Sequence, residues 1–201
     1  MKNYSYFHLP EGYELYQEVR LEKDRKALLF MMIGQILLVL VMVFLGVFYC
    51  SPQAIFSQEV HRVVFRFIAM LAGIFVYILA HEWVHGLFIR LFSGKPAAFG
   101  FRRGMAFASS EAYFGKIPYI IIALAPLAVW GILLGVLTGD AEPENFWFLY
   151  IIQIVNVTGA VGDLYMSFIT AKMPKDVLII DHGTSMEFFL PEAEAVIGET
   201  R

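Results

Sequence analysis

The chain has 201 residues, 59% of them apolar, with a net charge of −3 and a mean hydropathy of +0.65. That composition excludes an ordinary soluble domain and predicts a membrane protein of one domain, 1–201, with no basic excess for nucleic acid. The single cysteine, Cys50, excludes an intramolecular disulfide or a cysteine-based metal cluster.

Residues 1–26 are polar and aromatic. Pro10 and Gly12 disfavour helix, and the alternating charges that follow, through Lys26, read as a short surface helix ahead of the membrane. Residues 27–50 are uncharged and form the first predicted span, too long and too far along the chain for a cleaved signal peptide. Gln35 is its polar interior residue and is expected to bond to a neighbouring helix. Residues 51–66 read as a short polar link containing Pro52, Glu59, His61 and Arg66.

The second predicted span, 67–89, carries His81-Glu82-Trp83-Val84-His85-Gly86. Residues four apart share a helix face, so both imidazoles can reach one metal, and Glu82 lies about 100° round the helix, placed to take a proton from a water. Two ligands and a general base within five residues is the H-E-x-x-H arrangement of zinc peptidases. Burying two His and a Glu in an apolar span is costly, which marks them as functional candidates. Ile74, Tyr77, His81, His85 and Phe88 fall along one stripe, and Gly73 and Gly86 permit close approach of another helix or a substrate backbone.

Residues 91–116 form a basic connection with Lys95, Arg102, Arg103 and Lys116. Alternating apolar residues on either side of Arg102-Arg103-Gly104 predict a β-hairpin over 98–108, an edge able to pair with an extended peptide. The third span, 117–138, contains Pro126, which should kink it and free a backbone carbonyl. After an acidic link, the fourth span, 146–169, holds Asn156, Gly159 and Asp163 on one predicted face. In the tail, 176–181 and 186–190 read as a small hairpin around His182-Gly183-Thr184.

Lys and Arg number five before the first span, two in the 51–66 link (Arg62 and Arg66), four in the 91–116 connection, none in the acidic link and three in the tail. The positive-inside rule then puts both termini and the basic connection in the cytoplasm of a multi-pass cell-membrane protein. From the helix rise, His85, Asp163 and His81 would lie roughly 6, 9 and 12 Å below the cytoplasmic ends of their spans. Three ligands at one depth, with a fourth position left for water, describe a catalytic rather than a closed zinc site. Glu111, Asp181, His182 and Glu187 are alternative ligands; Asp163 is preferred because it alone needs a reason to be buried. His and carboxylate donors favour Zn²⁺. The fold class is thus an all-α polytopic membrane protein: four transmembrane helices, a small cytoplasmic β-hairpin and a short tail.

H-E-W-V-H in a membrane helix, followed two spans later by Asn156-x-x-Gly159-x-x-x-Asp163, resembles the site-2 type of intramembrane metalloprotease. Within that group it is most similar to small bacterial membrane proteins described as "putative zincin peptidases". The resemblance covers the second to fourth spans. It implies His81, His85 and Asp163 as zinc ligands, Glu82 as the base and Asn156 as a contact to substrate backbone. The second motif departs from the site-2 pattern: it reads Gly162-Asp163-Leu164 rather than Leu-Asp-Gly, and no proline precedes it. The function expected is cleavage of a transmembrane or juxtamembrane peptide near the cytoplasmic face, the partners being that peptide and the lipid bilayer. The alternatives are a non-catalytic metal-binding membrane protein and a metal-free scaffold.

Overall fold

Four apolar stretches fold as helices long and apolar enough to cross a membrane. The computed structural model describes residues 4–20, 23–56, 59–102, 105–183 and 185–192; Arg103, Gly104, Thr184 and Arg201, which figure in the sequence reading, lie outside them. Helix α1 is Arg25–Tyr49, α2 is Val60–Ser93 and α3 is Lys116–Gly139. The link expected up to Arg66 is shorter than predicted, because no Pro or Gly interrupts 59–66. The Glu59 carbonyl accepts from the N–H groups of Arg62 and Val63, so those residues become the first turns of α2.

The fourth span is two helices, α4 (Pro143–Gly159) and α5 (Val161–Lys172). Between them Ala160 has φ −77° and ψ 6°, a bridge-region turn that follows the poor helix former Gly159. Asn156 therefore belongs to α4 and Asp163 to α5, a correction to the single helix expected. Asp163 falls in the first turn of α5, the helix end whose dipole favours a carboxylate.

Seven strands accompany the helices: β1 (Ser5–Tyr6), β2 (Tyr13–Val19), β3 (Ala98–Arg102), β4 (Met105–Ser109), β5 (Tyr113–Gly115), β6 (Leu178–Asp181) and β7 (Met186–Pro191). The predicted hairpins are present as β3–β4 and β6–β7. The all-α description needs correction, because β6 and β7 are the centre of a five-stranded antiparallel sheet, ordered β1-β5-β6-β7-β2. The charged N-terminal stretch expected as a helix is strand β2, paired with β7 from Tyr13 opposite Pro191 to Val19 opposite Met186. Such a pairing across most of the chain leaves no local helical or hairpin signature.

The chain divides into two compact units. One comprises 1–29, 82–125 and 163–201. The centre of its sheet is buried on both faces, which suits the apolar runs Leu178-Ile179-Ile180 in β6 and Phe188-Phe189-Leu190 in β7. Ile179, Phe188 and Leu190 pack with Ile89, Ile122 and Met166 from the helices, while Leu178, Ile180 and Phe189 pack under Tyr13 and Tyr113. The other unit comprises 30–81 and 126–162. There the Gln35 amide donates to the Thr158 carbonyl at 3.2 Å, the helix-to-helix bond expected of it. Ile152 lies 2.9 Å from where a Cβ on Gly73 would sit, so that glycine lets α4 approach α2.

Candidate metal centre

Residues 81–85 lie within the unbroken helix α2, so the i, i+4 relation holds as the motif requires. Ligand atoms of His81, Glu82 and His85 all lie within 4.8 Å of one another, a group able to hold a metal ion. His81 is buried and the other two are half-buried.

In the unit that includes Glu82, His85 and Asp163, the His85 Nδ1 atom is 2.9 Å from the Ile122 carbonyl oxygen. A carbonyl only accepts, so Nδ1 carries a hydrogen, and in the neutral ring Nε2 carries the lone pair a metal needs. That carbonyl is the one Pro126, four residues on, cannot bond, since proline has no N–H. The freed acceptor anticipated in the third span thus orients the second imidazole of the motif. On its other side, His85 Nε2 lies 3.7 Å from Asp163 Oδ1. A bare imidazole nitrogen facing a carboxylate suits a divalent cation, so these residues fit zinc on the chemistry of their donors.

Glu82, His85 and Asp163 line a cavity of about 160 Å³. Strand β4 borders it through Ala106, Phe107, Ala108 and Ser109, and Asp181 and Gly183 enter from the tail. Strand β4 pairs with β3 from Arg102 opposite Met105 to Ala98 opposite Ser109. Among the described residues no strand pairs with its other edge. Gly86 matters here: a Cβ at that position would run into the ring of Phe99 on β3, so the glycine following His85 admits the hairpin.

Of the alternative ligands, Asp181 alone reaches this cavity. Its Oδ2 accepts from the Tyr119 hydroxyl at 2.9 Å and its Oδ1 from the Gly183 N–H at 2.7 Å. Burial pushes the Asp181 carboxyl above the usual carboxylate range, the charge of Asp163 adds to this, and the two hydrogen bonds and His85 only partly offset it. His182 and Glu187 face each other at 3.7 Å, Glu111 is exposed, and none of the three lines the cavity. Tyr119 and the Ile122 carbonyl had no role in the sequence reading; only Pro126 signalled the latter.

In the other unit, the Tyr77 hydroxyl is 2.9 Å from His81 Nδ1 and 3.0 Å from Asn156 Oδ1. Asn156 is fully buried and Tyr77 nearly so. Tyr77 lies in the apolar stripe of α2, where an aromatic reads as packing; its hydroxyl gains meaning only from Asn156, 79 residues away.

Residues 74–178, just over half of the chain, match the family described as "putative zincin peptidase". The chain belongs to that family. The matched region begins before the motif of this zincin-family chain and extends past Asp163 into β6. A curated relative from Pyrococcus woesei, an "uncharacterized 24.7 kDa protein in gap 5'region", is 32% identical over 120 residues, covering 55% of this chain and 50% of that one. The chain thus spans about half the length of the curated relative it matches. No solved structure matches it.

Proposed function

We propose that the chain is an intramembrane zinc endopeptidase of the site-2 type, which hydrolyses a transmembrane or juxtamembrane peptide near the cytoplasmic face of the cell membrane. Zinc would be held by His81, His85 and Asp163. The observation that carries this reading is one cavity in which Glu82, His85 and Asp163 lie beside an edge strand. Family membership supports a zinc peptidase. Four long apolar helices, with side chains such as Phe44 and Phe48 exposed along α1, support a lipid environment.

When bound, zinc supplies Lewis acidity, lowering the pKa of a water and polarising the scissile carbonyl. Glu82 accepts the proton that the attacking water loses as its oxygen joins the carbonyl carbon. It then gives that proton to the amine nitrogen as the C–N bond breaks. His85, held by Ile122, keeps its Nδ1 proton throughout. An extended substrate adds to the open edge of β4, whose backbone groups bond the peptide while its side chains alternate into the cavity. That requires the substrate to be unwound, since a helix shields its own carbonyls.

The test compares peptide termini in membranes from cells expressing wild type or Glu82→Gln. New termini in wild type should fall by at least about 100-fold in the variant, the usual contribution of a general base. Equal cleavage in both would overturn the reading.

A further inference from the structure

We infer that Gln153, Asn156 and Tyr77 form a polarised hydrogen-bond relay, anchored on the Gly131 carbonyl, that fixes the proton of His81 on Nδ1 and leaves Nε2 to bind metal. The inference rests on the zinc reading only for what the bare nitrogen does; the tautomer stands by itself.

The polarity follows from one end to the other. Gly131 offers a backbone carbonyl, which only accepts, 3.3 Å from the Gln153 amide nitrogen. The Gln153 side chain must therefore turn its NH₂ to Gly131 and its oxygen, Oε1, the other way. That oxygen is 3.4 Å from the Asn156 amide nitrogen, which donates to it. Asn156 is left presenting its oxygen to Tyr77, whose hydroxyl donates to it at 3.0 Å. A phenol has one hydrogen, and here it is spent. Towards His81 Nδ1, 2.9 Å away, the Tyr77 oxygen can only accept. So Nδ1 bears the hydrogen and Nε2 the lone pair.

Reversing any link would set donor against donor or acceptor against acceptor. Asn156 is fully buried, Tyr77 is 6% and His81 9% exposed, so water is poorly placed to repair such a mismatch. Tyr77 also packs edge-on against Trp130, with ring centroids 6.0 Å apart, which holds the hydroxyl in place. Gln153, Asn156 and Tyr77 are positioning residues in this account. Asn156, its amide engaged on both sides, is assigned to orienting Tyr77.

Nitrogen-15 NMR of histidine-labelled, zinc-free protein in detergent reads the tautomer, with the His81 signals assigned by their loss in His81→Asn. Wild type should show a protonated Nδ1 and a bare Nε2. Tyr77→Phe, which keeps the ring and removes the hydroxyl, should give a tautomer mixture and about 10–100-fold weaker zinc binding by chelator competition. Asn156→Asp supplies a second variant that does not depend on the first folding. With its carboxyl protonated it donates to Gln153 and offers Tyr77 an acceptor, so it should keep the wild-type tautomer, whereas Asn156→Leu should not. Protonated Nε2 in the wild type, or an unchanged tautomer in both Tyr77→Phe and Asn156→Leu, would overturn the relay. A wild type with the expected tautomer but no affinity for zinc would support the relay and refute the peptidase reading.

Discussion

His85 donates its Nδ1 hydrogen to the Ile122 carbonyl at 2.9 Å, the acceptor that Pro126 leaves without its helical N–H. A residue that weakens α3 thereby orients a candidate metal ligand on α2. Stability and metal affinity should then respond in opposite directions to its replacement. Pro126→Ala restores an N–H that competes for Ile122. We expect a thermal midpoint equal to or above wild type, with zinc affinity lower by about 10–100-fold. Paired melting and chelator-competition curves measure both; unchanged affinity would show that His85 needs no such acceptor.

Gly86 admits the β3–β4 hairpin to α2. Because the obstructing atoms are the far end of the Phe99 ring, which is 57% exposed, Gly86→Ala should be tolerated by a swing of that ring. Gly86→Val demands more room and should lower peptide cleavage at least several-fold while leaving zinc content intact. Adding Phe99→Ala should recover most of the loss, a coupling read by a double-mutant cycle. Full additivity of the two changes would separate the hairpin from the motif.

Asp181 gives a pH dependence whose sign can be worked out. Its carboxyl is raised in the folded protein, chiefly by burial, above the unfolded value of about 3.9. The unfolded chain therefore releases this proton first. Stability from the group is complete below the ordinary carboxylate range and is lost as pH rises towards the folded value. Asp181→Asn, which cannot titrate, should melt above wild type at pH 7, and the gap should close at acid pH. Midpoints of zinc-free protein across pH 3–8 test this; a gap constant with pH would remove the titration from the account.

Much of the site was legible because its logic is local or chemical. The spacing of His81 and His85 needs only a helix, and Asp163 declared itself as a lone carboxylate in an apolar span. Pro126 signalled a freed carbonyl, although nothing in the chain said that His85 would take it. What escaped was non-local. Strand β2 reads as a charged surface stretch until β7 lies beside it, with Tyr13 opposite Pro191. The turn at Ala160 is hidden in a run that reads as one continuous span, yet it assigns Asn156 and Asp163 to different helices. The Tyr77 hydroxyl sits in an apolar stripe, and its direction is set by Gln153 and Gly131, far along the chain.

The central claim is a zinc ion held by His81, His85 and Asp163, and metal content tests it most directly. Detergent-purified wild type should carry about one zinc per chain, as a three-ligand catalytic site does. His81→Ala and Asp163→Ala should each lose it while remaining folded. Zinc retained in Asp163→Ala would contradict the ligand set, and a wild type that binds none after reconstitution would contradict the account as a whole.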